Sequence, residues 1–191
     1  MADIQQTLVL IKPDGVKRNL IGEIIGRLEA KGYRVADLKK FTPSGELLAQ
    51  HYAEHEGKPF YEPLVEFMAS GDVVAIRLEG HRVIEGFRSL AGATDPTLAL
   101  PGTIRGDLAT EMQMNVTHGS DSPESAAREI AMERMQHEAI QAEAEGVVGM
   151  QLHEGSHNWQ PHVIEFFAVG TAVKPISTEL DPSVIPDPQL V

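Results

Sequence analysis

The chain has 191 residues, of which 42% are hydrophobic, and its 28 acidic and 16 basic side chains give a formal net charge of −12. This length suits one domain, or one domain with a small appendage. The acidic balance argues against general binding to nucleic acid or to an anionic membrane, because their phosphates repel a negatively charged protein.

Other features of the sequence narrow the class of protein further. There is no cysteine, which excludes a disulfide framework and is compatible with a reducing compartment. No apolar run approaches the roughly 18 residues that predict a membrane span. The N-terminal residues lack a basic region followed by a long apolar core, so we expect no signal peptide. These features predict a soluble cytoplasmic protein.

The first part of the chain alternates between strand and helix patterns. A continuous apolar run over residues 7–11 is typical of a buried strand and ends at a turn signal in residues 12–15. The further predicted strands cover residues 33–41, 72–78 and a short stretch near 116–117. The predicted helices cover residues 21–31, 44–56, 62–68 and 82–90. This order predicts an α+β fold with a ferredoxin-like βαββαβ core.

A long connection over residues 92–106 is rich in turn residues. Long structured loops in compact domains are often functional. The loop carries Thr94 and Arg105, Arg88 lies just before it, and Lys12 ends the first predicted strand. These side chains suit phosphate oxygens, which arginine can bind through two parallel hydrogen bonds. The alternative is that each cation simply pairs with one of the abundant carboxylates.

The stretch around His118 carries the most informative chemical pattern. His118 precedes a small Gly-Ser-Asp-Ser run, after which Ser122 and Pro123 predict a helix start as N-cap and first helical residue. Glu129 lies further along that helix, where its carboxylate could reach back towards the imidazole. A histidine oriented by a carboxylate can act as a nucleophile, because the carboxylate fixes the tautomer. The alternative is a capped helix that follows an incidental histidine.

Five motifs occur together and in order along the chain. They are residues 12–16 (KPDGV), residues 51–52 (HY) with 58–60 (KPF), residues 92–96 (GATDP), residues 101–107 (PGTIRGD) and residues 115–122 (NVTHGSDS). With these motifs the chain resembles nucleoside diphosphate kinase over about residues 1–131. The resemblance implies the kinase-like form of the βαββαβ fold and a ping-pong reaction. In that reaction His118 takes the γ-phosphate of a nucleoside triphosphate and passes it to a nucleoside diphosphate.

The resemblance also implies roles for individual side chains. Glu129, together with Ser120, would orient His118, and Phe60 would stack on the base. The phosphates and ribose would be held by Lys12, Tyr52, Arg88, Thr94, Arg105 and Asn115. Mg²⁺ would bridge the phosphates and share their charge, with Asp121 as an indirect contact. The expected partners are nucleoside tri- and diphosphates, and further copies of this chain in a homo-oligomer.

The resemblance to the kinase ends near Ala131, although the helix pattern continues. Small and apolar residues recur there at i, i+4 spacing: Ala127, Ala131, Met135, Ala139 and Ala142. Residues 146–152 and 162–173 each predict a strand, with a loop over 153–161. Residues 132–135 (MERM), 146–149 (GVVG) and 164–173 are similar to the C-terminal half of a small family described as heavy-metal-binding proteins, which form oligomers.

These resemblances divide the chain into three parts. We predict a kinase-like domain at 1–131, an appendage of a helix and a β-hairpin at 132–176, and a proline-rich flexible tail at 177–191. Because the join falls inside a helix that suits both families, the chain is expected to be a fusion, either natural or artificial.

Three histidines in the appendage raise a metal hypothesis. His153, His157 and His162 carry imidazoles, which are common metal ligands. However, their spacing matches no strong zinc signature and no cysteine assists them. A hairpin loop with solvated histidines is the favoured interpretation.

Three functions are compatible with the sequence. The first is an active phosphotransferase, which is favoured because every nucleophile and phosphate-site residue is present. The second is a nucleotide-binding protein with impaired catalysis, because the terminal segment of the kinase family is replaced. The third is an oligomerising or metal-binding module on a kinase-like scaffold.

Overall fold

The computed structural model describes residues 4–142, 146–156 and 164–173. Its strands are β1 (Ile4–Ile11), β2 (Arg34–Phe41), β3 (Val73–His81), β4 (Thr117–Gly119), β5 (Gly146–Ser156) and β6 (Ile164–Val173). Its α-helices are α1 (Pro13–Lys17), α2 (Ile21–Ala30), α3 (Gly45–His51), α4 (Tyr61–Ala69), α5 (Val83–Ala91), α6 (Ile104–Leu108) and α7 (Pro123–Gln141). Short 3₁₀ helices cover Ala53–His55 and Pro96–Leu98.

The first four strands form one antiparallel sheet in the order β2-β3-β1-β4. This is the strand order of the ferredoxin-like βαββαβ fold, so the predicted fold class is confirmed. Strand β1 lies in the centre between β3 and β4, which brings the N-terminal strand against the segment that carries His118. None of the described helices is long and apolar enough to cross a lipid bilayer.

Helices cover both faces of the sheet. On β1, Val9 and Ile11 belong to a core cluster with residues of α2 and α5, whereas Leu8 and Leu10 belong to a second cluster with residues of α3, α4 and α7. A strand that is buried on both faces reads as a continuous apolar run rather than an alternating one. This explains the pattern of residues 7–11, which the structure extends back to Ile4.

Two short helices lie where the sequence analysis predicted a turn and a loop. Helix α1 forms at residues 13–17 because Lys12 is extended (φ −72°, ψ 166°) and Pro13 occupies the first helical position. Helix α6 begins after Thr103, whose hydroxyl accepts a hydrogen bond from the Gly106 N–H. The predicted helix at 44–56 is divided into α3 and a 3₁₀ turn. Lys12 before α1, His55 of the 3₁₀ turn and Arg105 of α6 line one cavity.

Helix α7 is a single helix of 19 residues that crosses the predicted join at residue 131. Ser122 caps it as predicted: its Oγ accepts from the Ser125 N–H at 3.1 Å, and the Ser125 Oγ accepts from the Ser122 N–H at 3.0 Å. The helix contacts β1 on one side and both strands of the β5–β6 hairpin on another. This one helix therefore packs against both the four-stranded sheet and the β5–β6 pair.

The residues that recur at i, i+4 spacing along α7 differ in burial. Met135 is buried, Ala127 and Ala131 are partly buried, and Ala142 is exposed. The buried face is instead formed by Ala126, Glu129, Ile130, Met132 and Met135. On this face the Glu129 carboxylate accepts a hydrogen bond from the Ser120 Oγ at 2.7 Å.

The division into three parts remains a prediction. His157, His162 and the predicted tail at 177–191 lie outside the described residues. Strands β5 and β6 form an antiparallel pair, and β5 extends through residues 153–156, which the sequence analysis had placed in a loop. His153 is opposite Phe167 in that ladder.

Candidate active site

The chain turns sharply just before β4. Val116 has a φ of 59°, a left-handed conformation that is unusual for a β-branched residue. Its N–H donates to the Oδ2 of Asp14 at 3.1 Å, and its carbonyl oxygen accepts from the Lys12 N–H at 2.9 Å. A Cβ on Gly15 would come within 2.9 Å of Ile11 Cγ2 and 3.1 Å of the Val116 oxygen, so only glycine allows this approach. These contacts fix the backbone two residues before His118.

His118 lies in β4 opposite Leu10 of β1, and its side chain is 31% exposed. Its Nε2 atom is buried and lies 3.6 Å from the Oε1 of Glu129. This distance is longer than a hydrogen bond, so we describe the contact as electrostatic. The other oxygen of Glu129 accepts from the Ser120 Oγ at 2.7 Å, and the Leu8 N–H donates to the same Oγ at 3.3 Å. Ser120 thus ties the carboxylate to the central strand.

The environment of Glu129 favours its ionised form. Burial alone raises the pKa of its carboxyl group, but attraction to His118 and His51 and the hydrogen bond from Ser120 outweigh burial and hold the pKa below its usual value. A carboxylate beside Nε2 favours a proton on that nitrogen of neutral His118. The lone pair of the imidazole is then on Nδ1.

Two further rings pack near His118. The ring centroid of His51 lies 5.6 Å from that of His118 and 4.6 Å from that of Tyr52, both in edge-to-face geometry. Burial lowers the pKa of His51 to about 4, although Glu129 acts in the opposite direction. Burial also raises the pKa of the Tyr52 phenol, with a contribution from Glu129. Both side chains are therefore uncharged at neutral pH.

A cavity of about 400 Å³ opens beside His118. Eight of the residues predicted to form the site line it: Lys12, Arg88, Thr94, Arg105, Asn115, His118, Asp121 and Glu129. Its size is in the range of small-molecule sites. Since the protein as a whole is acidic, three cations at one cavity favour an anionic ligand there.

Lys12 is held at this cavity by polar contacts. Its Nζ donates to Asn115 Oδ1 at 2.7 Å, and the Asn115 Nδ2 donates to the Thr94 carbonyl oxygen at 2.8 Å. Burial lowers the pKa of Lys12 to about 8; the neighbouring Arg105 charge adds to this effect, and Asp14 opposes it. A negatively charged ligand that approaches this buried ammonium group favours its charged form, because opposite charges attract.

Arg105 has a structural role in addition to its predicted ligand contact. Its Nη1 donates to the Gly92 carbonyl oxygen and its Nη2 to that of Thr117, each at 2.8 Å. The guanidinium group therefore joins the loop after α5 to β4, and Thr117 is adjacent to His118. Burial lowers the pKa of Arg105 to about 10, with a further contribution from Arg88, so it is charged at neutral pH.

Three of the predicted residues lie away from the cavity surface. Ser120 is behind Glu129, as described above. Tyr52 is buried in the second core cluster. Phe60 is half exposed and meets the ring of His55, which itself lines the cavity, at a centroid distance of 5.4 Å. Tyr52 and Phe60 therefore lie beside the cavity and do not form part of its wall.

Two residues near His118 were not among the site residues predicted from the sequence. Asp14 was part of a motif, but only the fold shows that it binds the Val116 N–H. His51 was also part of a motif, but nothing in the sequence places its ring against His118. The signal in the sequence that points to either of them is an ionisable residue within a short motif.

Asp121 is the described carboxylate that best fits the predicted indirect contact with Mg²⁺. It is exposed at the rim of the cavity, and its Oδ1 accepts from the Ser125 Oγ at 2.8 Å. Magnesium is usually bound through one or two carboxylates, phosphate oxygens and several waters. A single carboxylate beside a cationic cavity suits a Mg²⁺ ion whose other ligands are water and the phosphate oxygens of a bound ligand.

Comparisons with known proteins match most of the chain. A family model described as nucleoside diphosphate kinase matches residues 5–138. Nucleoside diphosphate kinase from Mycobacterium tuberculosis (strain ATCC 25618 / H37Rv) is 62% identical over 129 residues, which cover 67% of this chain and 95% of the relative. The corresponding protein of Mycolicibacterium vanbaalenii is 63% identical over the same shares.

Solved structures show the same likeness. Nucleoside diphosphate kinase from Encephalitozoon cuniculi aligns with a TM-score of 0.66 and 41% identity, covering 67% of this chain and 87% of that protein. The protein from Halobacterium salinarum, solved in complex with CDP, has a TM-score of 0.66 and 46% identity over 68% and 87%. A second family model, described as "Putative heavy-metal-binding", matches residues 119–175 and overlaps the first along α7.

Proposed function

The chain belongs to the nucleoside diphosphate kinase family, and on that premise we propose that His118 is the nucleophile of its reaction. The protein transfers the terminal phosphate of a nucleoside triphosphate to a nucleoside diphosphate. In the proposed ping-pong course, His118 becomes phosphorylated by the first nucleotide and donates the phosphate to the second. The observation that carries this assignment is the approach of Glu129 to the buried Nε2 of an imidazole that lines a cationic cavity.

The proposed chemistry takes place at Nδ1. Glu129 keeps the proton on Nε2 and offsets the positive charge that develops on the ring while Nδ1 attacks the γ-phosphorus. The bond from phosphorus to the β-γ bridging oxygen breaks, and the nucleoside diphosphate leaves. The second half reaction reverses these steps with a different nucleoside diphosphate. Because phosphoryl transfer depends mainly on positioning and charge neutralisation, Ser120 contributes by holding the Glu129 carboxylate.

The phosphate contacts in this proposal come from the cations of the cavity. Lys12, Arg88 and Arg105 would neutralise phosphate oxygens, and Asn115 would hold the Lys12 ammonium in place. Thr94 and Tyr52 would contact the phosphates or ribose. Phe60, half exposed beside the cavity, would stack on the base, and base selectivity would be low because every base has a π-face.

Mg²⁺ is the proposed cofactor, since nucleoside diphosphate kinases are generally Mg²⁺-dependent. When bound with the nucleotide it supplies positive charge at the phosphate oxygens. Asp121 would hold its hydration shell at the rim of the cavity. The proposed partners are nucleoside tri- and diphosphates and further copies of this chain. The proposed compartment is the cytoplasm, which suits a sequence without cysteine.

The proposal is tested by labelling the protein with γ-³²P-ATP. We expect the full chain to acquire a label that acid removes and base does not, as phosphohistidine requires, and nucleoside diphosphate to discharge it. His118→Ala should lose this label but still bind nucleotide, because other side chains provide the binding contacts. His81→Ala, which changes an exposed histidine at the end of β3, is the matched control. Equal labelling of the His118 variant and the parent would refute the assignment.

A further inference from the structure

The two histidines and the glutamate behind the nucleophile have the composition of a zinc site. One nitrogen from each of His51 and His118 and one oxygen from Glu129 all lie within 4.8 Å of one another. Two imidazoles and one carboxylate form a ligand set that zinc adopts in proteins, with a fourth position left for water. These residues come from α3, β4 and α7, so only the fold brings them together.

The distances suit a metal with only small adjustments. Zinc bonds to nitrogen and oxygen of about 2.0–2.2 Å place neighbouring tetrahedral ligands roughly 3.4 Å apart. The Nε2 of His118 and the Oε1 of Glu129 are already 3.6 Å apart. The other separations are at most 4.8 Å, so reaching the tetrahedral spacing requires a contraction of up to roughly 1.4 Å.

The Nε2 of His118 is a buried nitrogen that lies 3.6 Å from the Oε1 of Glu129 but makes no hydrogen bond within the part of the chain that the structure describes. Buried polar atoms normally have partners, and one that lacks them calls for an explanation such as an ion. The cavity beside His118 and Glu129 provides a route from solvent.

We propose that a zinc ion binds to His51, His118 and Glu129 and inhibits the enzyme. It binds the Nε2 atom of His118 and not the Nδ1 atom that attacks phosphorus. Zinc bound through the Nε2 lone pair of neutral His118 leaves the proton on Nδ1. That nitrogen then has no lone pair with which to attack phosphorus. The metal also removes Glu129 from its contact with the imidazole. Zinc therefore stops phosphorylation without occupying the phosphate-binding part of the cavity.

This proposal goes beyond phosphotransfer, and zinc binding can be measured without nucleotide. Chelator-treated full-length protein in Mg²⁺ buffer is titrated with Zn²⁺ against a fluorescent zinc indicator. We expect His51→Gln to weaken the binding about tenfold or more, because it removes a ligand. The matched control replaces the appendage histidines together (His153→Gln, His157→Gln and His162→Gln) and should retain the affinity of the parent. Loss of binding in this control, or unchanged binding in His51→Gln, would overturn the proposal.

The second measurement is phosphoenzyme formation at buffered free Zn²⁺, with each variant compared with its own zinc-free rate. Zinc should suppress labelling in the parent and in the appendage control, but His51→Gln should resist it. If the parent forms no phosphoenzyme even without zinc, the function assigned to His118 fails while the zinc titration still stands.

A third measurement needs no substitution and applies if His51→Gln does not fold. X-ray absorption of the zinc complex of the parent counts its imidazole ligands. Two imidazoles and one carboxylate are expected. A site with three imidazoles, or with none, would contradict the assignment.

Discussion

The N–H of Val116 donates a hydrogen bond to the Oδ2 of Asp14 across 102 residues of sequence, and this bond stabilises a left-handed valine. Strained backbone of this kind costs roughly 1–3 kcal/mol and persists only where the surroundings enforce it. The two residues that follow Val116 are Thr117, which is bound to Arg105, and His118. The position of His118, the proposed nucleophile, thus depends on a buried carboxylate in α1.

We therefore expect Asp14→Ala to reduce both stability and phosphotransfer. It leaves the buried Val116 N–H without an acceptor, which costs about 1–3 kcal/mol. Asp14→Asn is the matched variant, since its amide oxygen can still accept this hydrogen bond. Thermal unfolding and kcat/KM should fall in the alanine variant and largely recover in the asparagine variant. Equal losses in both would show that the charge of Asp14, rather than the hydrogen bond, is what matters.

The lowered pKa of Lys12 predicts an alkaline limit to activity. Because the free enzyme has a Lys12 pKa of about 8, its ammonium is charged below that pH and neutral above it. The kcat/KM reports the free enzyme, so it should fall as the pH rises through about 8. Bound phosphates favour the charged form, so kcat should decline only at higher pH.

Arginine at this position separates the charge from other effects. Lys12→Arg remains charged across the range and should remove the limb near pH 8, even if its rate is lower. Lys17→Arg, which changes an exposed lysine at the end of α1, should keep the limb. If the decrease in kcat/KM near pH 8 persists in Lys12→Arg, it comes from the titration of another group.

Arg105→Ala is expected to affect both catalysis and folding. Loss of one preorganised charge donor costs roughly 2–4 kcal/mol of transition-state stabilisation, and we expect a similar loss for Lys12→Ala. Arg105→Ala also removes the hydrogen bonds to the Gly92 and Thr117 oxygens, so its melting temperature should fall as well. Steady-state kinetics and thermal melts of each variant measure the two effects. An unchanged kcat/KM in both variants would exclude these residues from the site.

Truncation after Ala131 should weaken the kinase-like part. It removes Met132 and Met135 from the buried face of α7, together with the hairpin that contacts this helix. The part of α7 that remains is about two and a half turns long and carries Glu129, and such short helices are marginal without packing. We expect a lower melting temperature and slower phosphotransfer. If the truncated protein keeps the melting temperature and the phosphotransfer rate of the full chain, the residues after Ala131 are not needed for either property.

A single ion pair tests how α7 is held to the sheet. Lys39 Nζ of β2 lies 2.6 Å from the Glu133 Oε1, and both side chains are largely buried, at 18% and 9% exposure. Breaking a buried pair leaves an uncompensated charge and is more costly than replacing both partners. The single variants Glu133→Gln and Lys39→Met should each lower the free energy of unfolding. The double variant should lose less than the sum of these two losses. Strict additivity in denaturant unfolding would mean that the pair is not coupled.

The sequence by itself determined the order of strands and helices, the start of α7 at Ser122, and the motifs that mark the family. These features are local, because the apolar run of β1 and the cap of a helix are patterns of residues that are close along the chain. It did not reveal the short helices α1 and α6, because their few residues carry mostly turn signals.

Only the tertiary structure decided which face of α7 is buried, that Asp14 supports Val116, and that His51 lies against His118. It also decided which imidazole nitrogen of His118 lies near Glu129. Each of these relationships joins segments that are brought together by the central position of β1 between β3 and β4. Contacts between distant segments depend on sheet register and helix rotation, which local residue patterns leave open.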